Sequence, residues 1–368
     1  MAVYWALLIA SAAVGIPVCG LYKKREGRLP GVFCLIMGIA LTVTAALRFD
    51  VGTDYNMYAA LFYNMNFMDT EQLGLLQREK GMLLPVVLTE LFTFDYFPAF
   101  VVLSVIIYAV IMSYCAGCRE SPWIGIFAFL CFGVYFNSLN FMRQILAAAV
   151  GAYALEYFRK GNYLRFAAFV IIAGAFHRSA FMLLPFGLVC LIPINVPVLV
   201  TAAALGAVSF VFSGEIIGKA TQIIYKNYVI TDPEMTAGLP VLYTVMFGAV
   251  FAAAFGLRKR MQGDVREINI LLWCSFGAFY AELLGTKHAI ISRIGLLFFL
   301  PVVFRLVPKI FAAVCRLSKR KKHSRRSAAI AAAVMIAAMS GVYGGLLAKN
   351  YNGVVPYRTV FEREVTGG

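Results

Sequence analysis

About twelve apolar runs, most of them near the length of a membrane-crossing helix, follow one another with only short polar turns between them. They fall near residues 2–21, 31–47, 97–116, 122–138, 142–158, 163–176, 179–193, 196–213, 239–257, 268–286, 290–308 and 327–347. A helix needs about 20 apolar residues to cross the hydrocarbon layer, and within lipid it satisfies its own backbone hydrogen bonds. No polar linker separates two cores, so residues 1–368 read as a single all-α polytopic membrane domain. Composition agrees, with 14% charged residues where a soluble domain carries about a quarter. The first run has no basic stretch ahead of it and reads as a membrane helix, not a cleaved signal peptide.

Lys and Arg outnumber Asp and Glu by 33 to 18. Much of this excess lies in short loops beside apolar runs, where basic residues hold a loop in the cytoplasm. Nucleic acid is therefore not an expected partner. The basic loops are Lys23 to Arg28, Arg159-Lys160, Arg258-Lys259-Arg260 and Arg316 to Arg326, the last containing His323. All four fall inside only if the short apolar piece 82–94 lies in the interface or re-enters. That arrangement gives about twelve crossing helices with both chain ends outside. It also gathers the loops near 48–81, 138–143, 176–180, 214–238 and 286–293, with the tail 349–368, into one polar extracytoplasmic mouth. The cytoplasmic side keeps Lys/Arg clusters with a topogenic role. A carrier places its site near the midplane between repeats; a one-sided mouth with no evident repeat points to a surface-facing enzyme.

Several polar groups would sit at that mouth. Arg48 ends the second run, and Gly52 and Asp54 follow it in a turn where Thr53 or Asp54 caps the next helix. Asn140, Arg143 and Gln144 stand at i, i+3 and i+4 and share a helix face, continued by the small Ala147 and Gly151. A guanidinium there offers a phosphate a planar fork of donors. His177-Arg178-Ser179 interrupts apolar stretches too long to be one crossing helix, with Ser179 as a cap, His177 as a base or donor, and Arg178 as an anion contact. Lys287, His288 and Arg293 fall in the next outer turn, where Glu282 is read as pairing with Lys287 or Arg293. Seven of the eight cysteines look like packing residues, and Cys115-x-x-Cys118 lacks the second pair of a zinc site. No His-Glu-x-x-His or Asp-x-Asp pattern is present, so neither metal nor cofactor is expected.

Taken in order, these segments resemble the EpsG family of membrane polysaccharide polymerases, related to Wzy-type oligosaccharide repeat-unit polymerases. The residues concerned are Arg48 with Val51-Gly52-Thr53-Asp54-Tyr55 and Tyr58; Asn140 with Arg143-Gln144 and Ala147; and His177-Arg178-Ser179-Ala180 followed by Pro185. Ser292-Arg293 and Val355-Pro356-Tyr357-Arg358 complete the set, with a weaker match at Glu79-Lys80-Gly81. The resemblance implies a glycosyltransferase acting outside the cytoplasmic membrane, which joins oligosaccharide units carried on polyprenyl diphosphate. It implies neither metal nor nucleotide sugar. Flippase and chain-length regulator proteins are the expected partners, beside the lipid substrate and membrane lipid. On this reading His177 is the first choice of base and Asp54 its competitor. Arg143 and Arg178 take the diphosphate, while Arg48, Asn140, Gln144, Arg293 and Arg358 support the substrate. A glycan ligase would use nearly the same site. A flippase would need a polar path through both leaflets, and an assembly partner would need no chemistry.

Overall fold

The computed structural model describes residues 1–21, 29–65, 67–68, 80–90, 92–93, 95–118, 120–215, 239–317 and 324–363. The basic loop Lys23 to Arg28, Glu79, most of the loop 214–238, His323 with the middle of the last basic run, and the final residues of the tail lie outside them. Every element among the described residues is helical, apart from one isolated antiparallel bridge between Arg48 and Thr359.

The helices are α1 (Ala2–Leu21), α2 (Leu29–Ala46), α3 (Tyr55–Met65), α4 (Leu83–Glu90), α5 (Phe97–Gly117), α6 (Pro122–Cys131), α7 (Val134–Asn140), α8 (Met142–Arg159) and α9 (Tyr163–Phe176). After a 3-10 turn at Arg178–Met182 come α10 (Leu183–Val189), α11 (Val196–Val211), α12 (Leu239–Leu257), α13 (Val265–Gly285) and α14 (Ala289–Pro301). A π-helical turn, Val302–Leu306, joins α14 to α15 (Val307–Leu317), and α16 (Ser324–Ala348) leads into the tail.

Each expected apolar run forms helix, yet twelve crossings do not follow. Among the described residues, six helical stretches are long and apolar enough to cross a membrane: Leu29–Ala46, Phe97–Gly117, Val241–Arg260, Val265–Gly285, Ile291–Arg316 and Arg326–Ala348. A seventh is added if α6 and α7, bent by 61° at their junction, form one broken span. Tyr163–Phe176, Arg178–Val189 and Val196–Val211 are shorter apolar helices, and α8 carries Arg143, Glu156 and Arg159 within 18 residues.

α8 is the centre of the bundle. Its Ala147, Ala148, Ala149 and Ala152 are all fully buried, and small residues let neighbouring backbones approach closely. Gly151 marks the tightest point, where an added Cβ would lie 2.6 Å from Leu183 of α10. Around α8 the packing is aromatic, as in Phe129 stacked on Phe304 and Tyr114 edge-on to Tyr153.

The piece 82–94 behaves as its charge pattern suggests. α4 has only 8 residues, a rise of about 12 Å. A Cβ on Gly81 would strike Phe176 at 2.6 Å, so the segment starts against the end of α9 next to His177. It finishes at Asp95, which pairs with Arg363 of the tail at 2.9 Å. Both ends therefore lie at the end of the bundle where the tail is bound, and the segment does not traverse it.

Candidate active site

Two breaks in consecutive helices build this end of the molecule. At the first, Gly133 turns left-handed with φ +66°, and a side chain there would run into the Tyr243 hydroxyl and Leu346. Only glycine fits both requirements. At the second, Phe141 (φ −88°, ψ 51°) separates α7 from α8. The short α7 so isolated presents Asn137 and Asn140, and the first turn of α8 presents Arg143 and Gln144.

Asn140 is fully buried and uses its whole amide. Its Oδ1 accepts from Thr53 Oγ1 and from the Asp54 backbone N–H, both at 3.1 Å. Its Nδ2 donates to Phe136 O at 3.2 Å and to Asn352 O at 3.1 Å. One side chain thus ties the 52–54 turn, α7 and the tail together. The tail is held further by Gly52 N–H to Gly353 O (3.0 Å) and Thr53 N–H to Asn352 O (3.1 Å). Asn137 Oδ1 receives Tyr351 Oη at 2.8 Å and Asn352 Nδ2 at 2.9 Å. The tail is therefore a wall of the site. Sequence reasoning singled out Arg358 and overlooked Asn350-Tyr351-Asn352-Gly353, whose cluster of turn formers was the available signal.

Arg143 is half-buried, with its guanidinium carbon 5.9 Å from the centre of the Tyr58 ring. Burial holds the Tyr58 phenol above its ordinary range, while nearby Arg143 pulls the other way. Gln144 donates to Arg293 O at 2.5 Å and reaches Ser179 Oγ at 3.5 Å. That pair brings the first turn of α8 against the 177–182 turn, so Arg143 and Arg178 flank a single junction. Arg293 is exposed, with its guanidinium 4.8 Å from the Phe141 ring. Arg358, also exposed, rests on Asp50 at 3.4 Å on the other side of the tail.

Two residues have roles that differ from those their sequence suggested. His177 Nδ1 accepts the Ser179 backbone N–H at 3.2 Å, which assigns the proton of the neutral ring to Nε2. Nδ1 is thereby engaged with the backbone, which leaves Nε2–H as the donor of the neutral ring. Arg48, expected at the mouth, is 1% exposed and lies behind it, donating to Leu139 O at 2.6 Å. Burial works against its charge, and the surrounding tyrosines offset part of that effect. A third expectation is corrected: Glu282 is buried and pairs with neither neighbour, because Lys287 donates to Phe210 O and Arg293 lies on Phe141. His288 contacts Ser213 Oγ at 3.1 Å, away from Arg143.

The far end of α8 holds what the sequence presented as topogenic charge only. Arg305 pairs with Glu156 and with Glu267 (2.7 Å). Lys309 pairs with Glu120 (2.6 Å) and Glu267 (2.8 Å), and Arg159 with Asp264 (3.0 Å). From Arg143 to Glu156 the helix rises about 20 Å. The uncharged donors Asn140 and Gln144 thus gather at one end with Arg143, Arg178 and Arg293, and a compact ion-pair network locks the other.

An all-helical bundle with several spanning helices and one polar mouth defines a multi-pass membrane protein. The model of the EpsG family matches residues 31–359 of the 368, and the chain belongs to that family. Membership gives it a role of the membrane polysaccharide polymerase type. No match was found among curated proteins or among solved structures.

Proposed function

We propose that this protein joins oligosaccharide repeat units, each carried on polyprenyl diphosphate, into a longer glycan at the outer face of the cytoplasmic membrane. The observation that carries the reading is the convergence of Arg143, Asn140, Gln144, Asp54 and the 177–179 turn at one end of α8, opposite the Arg159 and Lys309 network. By the positive-inside rule the latter end, with its Arg258-Lys259-Arg260 turn nearby, faces the cytoplasm.

In the transfer, a hydroxyl of the incoming unit attacks the anomeric carbon of the growing chain. The bond from that carbon to the diphosphate oxygen breaks, its electron pair leaving with the phosphate, and the hydroxyl proton passes to a base. Arg143 and Arg178 hold the diphosphate, and in a low-dielectric mouth their fixed donors stabilise the charge that builds on it. Arg293 and Arg358 meet the substrate at the rim. Asn140 and Gln144 act by fixing the loop and the turn. Of the two expected bases the geometry favours Asp54, whose backbone is anchored by Asn140. His177, whose Nδ1 accepts the Ser179 N–H, suits donation from Nε2 to the diphosphate. The donor brings its own leaving group, so the reading requires neither a nucleotide sugar nor a metal.

The test is reconstitution of the purified protein in liposomes with lipid-linked repeat units as sole substrate. A ladder of lengthening lipid-linked glycans supports the reading; units recovered unchanged, with folded protein present, overturn it.

A further inference from the structure

The chain buries two arginines and treats them differently. Arg305 shares Glu156, Glu267 and Glu120 with Lys309. Arg48 has no such company. The ionisable groups that act on it are Tyr108, Tyr135, Tyr55 and Tyr4. Asp50, two residues on, is turned to Arg358 and Asn56, and Asp54 receives Thr53. One nitrogen, Nη2, serves Leu139 O and Met142 Sδ, whereas Nε and Nη1 find no partner.

A second unsatisfied group lies beside them. Ser104 is 0% exposed and its Oγ also lacks a partner. It stands on α5 four residues from Phe100 and four from Tyr108, so the three share one helix face. The Phe100 ring centre is 5.4 Å from the Arg48 guanidinium carbon, and Tyr108 acts on the same guanidinium. Ser104 thus stands between two residues of α5 that bear on Arg48, on the helix face they share. The tail closes the place from outside through the bridge of Thr359 to Arg48 and the Tyr357 hydroxyl on Thr44 O.

Buried donors without acceptors are costly, and an uncompensated buried charge costs more. A guanidinium does not shed its proton. The aromatic faces of Tyr55 and Phe100 offset part of the charge but accept none of the free N–H groups. Water would satisfy the donors and leave the charge. A small anion does both, and among the described residues no carboxylate pairs with Arg48.

We propose that Arg48 and Ser104 hold a small inorganic anion, with chloride the expected occupant, which neutralises the guanidinium that supports the α7–α8 break through Leu139. The proposal is independent of the polymerase reading, because its test involves no turnover. Purified protein in detergent is melted in potassium gluconate while potassium chloride replaces it at constant ionic strength. The expected result is a saturable rise in Tm with chloride, reproduced by bromide. Ser104→Ala removes one hydrogen bond to the anion, and Arg48→Met removes its charge. Ser104→Ala should raise the half-saturating chloride concentration by about tenfold or more, and Arg48→Met should abolish the response. If Arg48→Met does not fold, Ser104→Ala decides. Crystals soaked in bromide should show an anomalous peak beside Arg48 Nη1. A wild-type Tm indifferent to chloride, an unchanged response in Ser104→Ala, or ordered water in place of the bromide peak would each overturn the proposal.

Discussion

Removing the Asn140 amide should loosen two separate stretches of chain while sparing the bundle. In Asn140→Ala four hydrogen bonds vanish together. Thr53 is exposed and can turn to water, and Phe136 O keeps its place within α7. Asn352 O keeps the Thr53 N–H, so the Asp54 N–H alone is left partly buried without a partner, at about 1–3 kcal/mol. A local loss of about 1–3 kcal/mol follows. It falls on the 52–54 turn and the 350–353 tail, which remain joined to each other by Gly52 to Gly353 and Thr53 to Asn352. Since a factor of ten corresponds to about 1.4 kcal/mol, amide hydrogen exchange there should accelerate roughly 5- to 150-fold. Mass spectrometry of exchange over 49–58 and 350–359, with α13 as the internal reference, measures it. Polymer formation should fall in the same variant, because Asp54 loses its anchor. Unchanged exchange in both stretches, or acceleration spread evenly into α13, would refute the account of Asn140 as a local clamp.

Arg143→Lys should lose most of the activity while the protein keeps its abundance, since a point charge does not reproduce a planar fork on a diphosphate; polymer of normal length and amount would reduce the requirement to charge alone. Glu267→Gln should destabilise the protein by about 3–5 kcal/mol by leaving Arg305 and Lys309 short of a partner, whereas Glu282→Gln breaks no ion pair and should shift Tm little; comparing the two melting curves checks both. Turnover of lipid-linked units should be insensitive to a chelator, and loss of activity restored by a divalent cation would contradict the arginine-based mechanism. A single cysteine at Thr53 should label from outside the cell and one at Gly263 should not, in a background free of the native cysteines; the reverse pattern would invert the topology.

Much of the helical framework was legible because apolar runs and turn signals are local properties. The same holds for the shared face of Asn140, Arg143 and Gln144, and for the short piece 82–94, whose placement followed from loop charge. The number of crossings was not legible in the same way, because a run of apolar residues reports burial without saying whether lipid or protein covers it, and α8 is mostly surrounded by protein. The break at Gly133 was hidden inside a continuous apolar run, since the need for a left-handed residue comes from Tyr243 and Leu346, far away in sequence. The enclosure of Arg48 depends on a tail more than 300 residues distant. Glu120, Glu156 and Glu267 carry no signal in the sequence because only the fold brings them to Arg305 and Lys309. His177 was singled out from its neighbours in the sequence, but which of its nitrogens is engaged by the backbone follows from the contact with Ser179.

The central claim is that this chain lengthens lipid-linked glycans, and the lipid-linked species left behind when its gene is deleted test that most directly. Extracted and sized, they should be single repeat units on polyprenyl diphosphate, exposed at the outer face of the membrane. Full-length polymer still attached to its lipid would instead indicate a ligase, and single units retained on the cytoplasmic face a flippase; either result would contradict the account.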